Sequence, residues 1–239
     1  MDNDSLVELV KTSAFYLGHK QSDLRVIAAM RKVDRREFIP EDAITEVAEI
    51  DQELKPIGVL KVKSRDLVYN NAVVNIGYRQ TCSQPSIVAL MNDILDLRRG
   101  MKILEIGSGC GYHAAITSHL IGEKGKLITI EYVPELAKLA EANLRKHFGD
   151  GFEKRLKVVH GDGSVGFPEE APFDRIYLTC GVKHSFKSQI LIEQLNPGRG
   201  ILLYPERYGD LIKMTYDKGE ITEQRFSGVF FVPLKGENS

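Results

Sequence analysis

The residues of this sequence best placed to do chemistry are three carboxylates and a run of glycines. The stretch KILEIGSGCGYHAAI, residues 102–116, is an apolar run bearing Glu105 near its end, then a turn with glycine at 107, 109 and 111 around Ser108, then the start of a helix that the pattern carries over 112–121. Glycine at a strand-to-helix turn lets a ligand approach the backbone, because no Cβ stands in the way. The spacing is G-x-G-x-G, tighter than the G-x-G-x-x-G of a dinucleotide fold. Glu131 closes a second apolar run, KLITIE at 126–131, and Asp162 follows a third at 156–159, flanked by Gly161 and Gly163. A carboxylate closing the second strand can accept both hydroxyls of a ribose. One beside the third strand can accept from an adenine amino group. Acids in register with a glycine turn favour a nucleoside site over a turn that merely packs a helix on a sheet. A second candidate is Thr81-Cys82-Ser83-Gln84-Pro85. Proline suits a first helical turn, and the free N–H groups there could hold an anion such as a substrate carboxylate; an ordinary capped core helix is the alternative.

Alternating strands and helices must position these groups. The helix from Pro85 is expected to reach Leu97, burying Ile87, Leu90, Met91 and Ile94. Another opens at Pro134, with Leu136, Leu139, Ala140, Leu144 and Phe148 at helical spacing, and ends at Gly149. A fourth strand is expected at 175–180, a helix at 185–195 and a fifth strand at 201–204. Two tail strands, 211–216 and 228–234, join around Lys218-Gly219. This alternation predicts a doubly wound, mostly parallel α/β sheet of about seven strands. Upstream, Ser5 to Glu8 have capping-box spacing, and Leu6, Leu9, Val10 and Leu17 share a helical face before Gly18. A second helix starts near Ser22 and carries Ile27, Met30 and Val33. Arg31, Lys32, Arg35 and Arg36 read as a solvated face, a phosphate patch being the alternative. Residues 46–68 fit no single period and read as an insertion, with an edge strand or hairpin around Val59, Lys61 and Lys63. The expected organisation is a helical segment and insertion, 1–68, packed on a main domain, 69–239, as one structural unit.

The 32 basic and 33 acidic residues nearly cancel, so no global field advertises nucleic acid or a basic partner. Cys82, Cys110 and Cys180 lie far apart, without metal-ligand spacing. A sparse, odd cysteine count suits a reducing cytosol, and no apolar run has the length to span a bilayer. A cytoplasmic protein with no metal and no membrane partner is the expectation, and nucleic acid is disfavoured.

Taken together, the chain resembles the protein-L-isoaspartate (D-aspartate) O-methyltransferase family. The similarity lies in MRKVDRREFIP (30–40), YNNAVVNIGYRQTCSQPSIVALM (69–91), the glycine turn, GDGSVGFPEEAPFDRI (161–176), IEQLNPGRGILLYP (192–205) and FVPLKG (231–236). The T-x-S-Q-P loop and the GDG-to-APFD stretch are the most specific, since other S-adenosylmethionine-dependent methyltransferases lack them. The resemblance implies the methyltransferase fold, S-adenosylmethionine as methyl donor with S-adenosylhomocysteine as product, and methylation of the α-carboxyl of L-isoaspartyl residues in damaged proteins. It further implies that Ser83 grips the substrate carboxylate with the N–H groups of Thr81, Cys82, Ser83 and Gln84, and that Gly181 and Val182 frame the peptide. Glu131 would hold the ribose, Asp162 the adenine, and Gly107, Gly109 and Gly111 the methionine part, with Glu105, Ser108, Tyr132, Gly161 and Gly163 also at the cofactor.

The departures lie on the substrate side. Tyr69-Asn70-Asn71 stands where the family has Tyr-x-Asp, and residues 50–58 carry a second likeness to that segment. Residues 180–186, CGVKHSF, lack the family's prolines, and Pro205-Glu206-Arg207 replaces its P-V-G. Two other readings stand beside this one. An RNA methyltransferase would want Asn or Asp before Pro-Pro-aromatic, or a Pro-Cys pair, after the fourth strand; Leu178-Thr179-Cys180-Gly181 is neither. A non-catalytic paralogue that binds the cofactor and a protein partner would show divergence of this kind.

Overall fold

The computed structural model describes residues 1–13, 23–50 and 55–239. Helix α1 (Asn3–Thr12) is capped by Asp2, whose carboxylate accepts from the Ser5 N–H at 2.9 Å. The cap therefore falls three residues before the expected Ser5, and Leu6, Val7 and Val10 are buried while Leu9 is exposed. Leu17, Gly18 and Ser22 lie outside the described residues. Helix α2 (Leu24–Lys32), capped by Asp23, buries Ile27 and Met30, with Val33 just beyond it, as the periodicity predicts. Arg35 does not belong to the solvated face: it is 0% exposed.

The insertion is an antiparallel hairpin, β1 (Ile44–Ile50) with β2 (Pro56–Lys63). A second, smaller hairpin follows, β3 (Val74–Gly77) with β4 (Gln80–Cys82), and delivers the chain to α3 (Pro85–Ile94). Then come β5 (Lys102–Ile106), α4 (Tyr112–Ile121), β6 (Lys126–Glu131), α5 (Pro134–Phe148), β7 (Leu156–His160), β8 (Arg175–Leu178), β9 (Gly198–Pro205), β10 (Tyr208–Asp217) and β11 (Glu220–Phe230). The seven-stranded sheet has the order β11-β10-β9-β8-β5-β6-β7. Strands β9, β8, β5, β6 and β7 run parallel, and β10 and β11 continue as an antiparallel meander.

Parallel strands covered on both faces alternate between two cores. On one face Ile103, Leu127 and Tyr177 pack against α1 to α5 in a single apolar cluster. On the other, Leu104, Ile128, Ile176 and Leu202 meet Phe173, Leu191 and Leu195. The second face carries less helix than expected. Only Gln189–Ile192 is α-helical within 185–195, because Phe186, Gln194 and Leu195 close i→i+3 turns instead. The last strand also differs. Gly228 sits at φ 93°, where the β10–β11 register slips between Gly209 and Asp210. Such a bulge bends a strand, and the chain leaves the sheet after Phe230 to bridge Gly181 through Pro233. Among the described residues no helix is long and apolar enough to cross a membrane.

Candidate active site

In open α/β sheets the ligand crevice lies outside the carboxyl ends of the strands where their order reverses. Here that point lies between β5, from which the chain winds out through β6 to β7, and β8, to which it returns on the other side. A cleft of about 740 Å³ opens there. Gly107, Gly109 and Gly111 all take positive φ, at 98°, 55° and 89°, which L side chains rarely adopt. A Cβ on Gly107 would stand 2.3 Å from Thr179 Oγ1, and that hydroxyl donates to the Gly107 carbonyl at 2.6 Å. Gly107→Ala must therefore displace the turn. We expect it to weaken S-adenosylhomocysteine binding at least about tenfold by calorimetry, from strain of about 1–3 kcal/mol.

Glu131 ties the turn to the next helix. Its Oε2 accepts from Gly109 N–H at 2.8 Å and its Oε1 from Val133 N–H at 3.0 Å. The side chain lines the cleft and keeps a further lone pair on each oxygen for a ligand. Glu105 is placed differently: it lies beneath the turn, 0% exposed. It accepts from Thr129 Oγ1 at 2.5 Å and from Tyr177 OH at 2.9 Å. Thr129 also meets Ser108 Oγ at 2.6 Å, so Glu105 reaches the cleft wall through two hydroxyls. Burial pushes its pKa up to about 8, against the lowering pull of the Thr129 and Tyr177 hydroxyls and with the added push of Glu131.

Asp162 stands beyond the end of β7. Burial raises its pKa, but the Glu237 N–H (2.8 Å) and the Ser164 N–H (2.8 Å) outweigh it and hold the group below the ordinary carboxylate range. Each oxygen accepts one of these N–H bonds, and the Ser164 hydroxyl is a further donor to the group.

Of the residues singled out in the sequence, Thr81, Cys82, Ser83, Gly107, Ser108, Gly109, Glu131, Tyr132 and Gly163 line one cleft. Gly111 does not: a Cβ there would lie 3.1 Å from Leu144 Cγ, so this glycine lets α5 pack on the start of α4. Gln84 faces an adjoining groove, lined also by Ile87, Tyr208 and Phe230. Thr81, Ser83, Thr179 and Val232 line both cavities, so cleft and groove share a wall. Gly161 and Asp162 do not line the cleft, although Gly163 beside them does. Gly181 and Val182 belong to a small ladder in which Val182 N–H donates to Pro205 O and Arg207 N–H to Val182 O, both at 2.9 Å. The two divergent segments, 180–186 and 205–207, are thus paired with each other.

The fold also brings in residues that the sequence does not single out. Leu234 and Lys235 of the tail line the cleft. His113 lines it too, and burial pulls the pKa of its ring down to about 3, so the imidazole is neutral. Tyr69 OH donates to Asp34, and Asn71 accepts from Ser86 N–H at 2.9 Å, so the Tyr69–Asn71 register adjoins the Ser83 loop. Of the rival register, residues 51–54 lie outside the described residues and the rest belongs to the β1–β2 hairpin.

A glycine turn after the first parallel strand, an acid closing the second and a further acid after the third, on this sheet, define the S-adenosylmethionine-dependent methyltransferase class of fold. Residues 59–239 match the family described as protein-L-isoaspartate(D-aspartate) O-methyltransferase, and the chain belongs to that family. It is 41% identical to a protein-L-isoaspartate O-methyltransferase of Methanopyrus kandleri, over 98% of this chain and 91% of that one. With protein-L-isoaspartate O-methyltransferase 2 of Archaeoglobus fulgidus it shares 40% identity, over 89% and 86% of the respective chains. Its fold matches a solved Plasmodium falciparum structure, of a putative protein-L-isoaspartate O-methyltransferase in complex with S-adenosyl-L-homocysteine. The TM-score is 0.73 at 23% identity, over 98% of this chain and 99% of that one.

Proposed function

We propose that this chain transfers the methyl group of S-adenosylmethionine to the α-carboxylate of L-isoaspartyl residues in damaged proteins. One observation carries the reading: Ser83 opens into the same cleft as the glycine turn and Glu131. S-adenosylmethionine supplies a methyl group already activated on a sulfonium. Glu131 and Tyr132 hold the ribose side, Asp162 between Gly161 and Gly163 takes the adenine, and the backbone of Gly107, Ser108 and Gly109 lies along the methionine part. Ser83, with the N–H groups around it, grips the acceptor carboxylate. The neighbouring groove offers Ile87, Tyr208 and Phe230 to the flanking peptide. A carboxylate is ionised at neutral pH, so the acceptor needs no general base. His113, neutral and without a hydrogen-bond partner on either ring nitrogen among the described residues, fits a wall of the cleft. Catalysis then rests on holding the reacting groups in line with water excluded. The sparse cysteines support a cytoplasmic setting.

The test is methyl transfer to an isoaspartyl peptide against its aspartyl twin. Base-labile label should enter the isoaspartyl peptide alone; no label on either, or label on tRNA instead, would contradict the reading. Two variants refine it. Asp162→Ala should weaken S-adenosylhomocysteine binding about tenfold, equivalent to one charge-assisted hydrogen bond. Ser83→Ala should raise the apparent KM for peptide with little change in cofactor affinity, and unchanged peptide kinetics would remove Ser83 from the site.

A further inference from the structure

Arg35 is a fully buried guanidinium with no carboxylate partner among the described residues. It lies in a short 3₁₀ turn, Arg35–Glu37, and its terminal nitrogens donate to five backbone carbonyls, with the Cys82 thiol also beside the cation. Nη1 reaches Val68 O at 3.1 Å and Asn70 O at 3.3 Å. Nη2 reaches Ala72 O at 3.0 Å, Cys82 O at 3.3 Å and Ser83 O at 2.9 Å. One cation thus gathers the two strands of chain on either side of the β3–β4 hairpin. Next door, the Asp34 carboxylate accepts from Tyr69 OH at 3.0 Å.

The geometry of the peptide bond gives this a consequence for the site. In a planar trans peptide the C=O of one residue and the N–H of the next point in opposite directions. Drawing the Cys82 and Ser83 carbonyls inward to Arg35 therefore turns the N–H groups of Ser83 and Gln84 outward. Neither donates to any of the described residues. They stand with the Ser83 hydroxyl just before α3, whose first turn starts at Pro85 and so has no N–H of its own there. The carbonyl ends of these peptides are polarised by a guanidinium in a low-dielectric interior, which sharpens the positive ends that face out.

We infer that Arg35 is the positioning residue of the substrate site: it holds two successive peptides so that Ser83 and Gln84 present their N–H groups to the acceptor carboxylate. The inference rests on the isoaspartyl reading for the identity of that carboxylate, but the orientation of the amides does not. Arg35 never touches substrate. Lysine cannot replace it, because a single ammonium has three donors and no planar fork to span five acceptors.

Arg35→Lys separates positioning from a merely structural role. The expected variant is folded, binds S-adenosylhomocysteine within about twofold of the parent, keeps kcat within about threefold and raises the apparent KM for isoaspartyl peptide at least about tenfold. An unchanged KM, or a loss of cofactor affinity equal to the rise in KM, would overturn the assignment. If Arg35→Lys does not fold, amide hydrogen exchange on the unaltered protein loaded with S-adenosylhomocysteine decides. Ser83 and Gln84 amides should exchange rapidly without peptide and slow on its addition, while Val88, bonded to Gln84 O, stays protected throughout. Protection of Ser83 and Gln84 in the peptide-free protein overturns the inference. If the parent transfers no methyl to peptide, the isoaspartyl reading fails; rapid exchange of these two amides then still supports their presentation by Arg35, and slow exchange removes both.

Discussion

Glu131→Ala should abolish measurable cofactor binding, raising the dissociation constant for S-adenosylhomocysteine at least about 100-fold by calorimetry. Two losses combine. The carboxylate is the acceptor assigned to the ribose hydroxyls, and hydrogen bonds to a charged group are worth about 1.5–3 kcal/mol each. It also fixes the turn that forms the rest of the pocket, through Gly109 N–H and Val133 N–H. With alanine both donors lose their partner, at about 1–3 kcal/mol apiece where they are buried. Glu131→Gln is the informative control. Its amide oxygen can serve one of the two N–H groups, while its NH2 opposes the other, so binding should weaken by less than in the alanine variant. A dissociation constant for Glu131→Ala within threefold of the parent would remove Glu131 from the cofactor site.

Glu105→Gln should make the protein more stable than the parent at pH 8 and change little at pH 5. The carboxyl ionises near 4.5 in the unfolded chain, and burial carries it to about 8 in the folded one. The folded state therefore binds a proton that the unfolded state has released throughout that window. The contribution is complete below 4.5, falls by about 1.4 kcal/mol per pH unit as the pH rises, and levels off above 8. Glutamine has no proton to lose, and its amide can still meet the Thr129 and Tyr177 hydroxyls. Denaturant midpoints measured from pH 5 to pH 8 should thus converge at the acid end and separate towards the alkaline end. Parallel curves for parent and variant would show that Glu105 is ionised in the native protein at neutral pH. Glu105→Ala is a different experiment: it opens a cavity and strands two buried hydroxyls, so it should destabilise at every pH.

The parts of the fold written in local pattern could be placed from sequence to within a residue or two. Lys102–Ile106, Tyr112–Ile121, Lys126–Glu131 and Pro134–Phe148 all have continuous apolar runs or helical spacing, bounded on at least one side by glycine or proline. What could not be placed depends on partners far away in the chain. Arg35 sits in a basic run that looks solvated, and its acceptors are 33 to 48 residues distant. The β3–β4 hairpin turns through Tyr78 and Arg79, both at positive φ without being glycine, so the usual Asn-Gly signature is missing. The apolar residues of 228–234 predict a strand, but the strand ends at Phe230, and the Gly228 bulge and Pro233 take the chain off the sheet and over the cleft. Glu105 illustrates a subtler limit. Its position at the head of the glycine turn is plain in the sequence, whereas its burial depends on Thr129 and Tyr177 arriving from two neighbouring strands.

The most direct test of the central claim is a crystal structure with S-adenosylhomocysteine and an isoaspartyl peptide bound together. The ribose hydroxyls should lie on Glu131, the adenine beside Asp162, and the peptide's free α-carboxylate on Ser83 Oγ and the N–H groups of Ser83 and Gln84. A nucleoside bound away from Glu131, or a peptide carboxylate held anywhere but at Ser83, would contradict that claim.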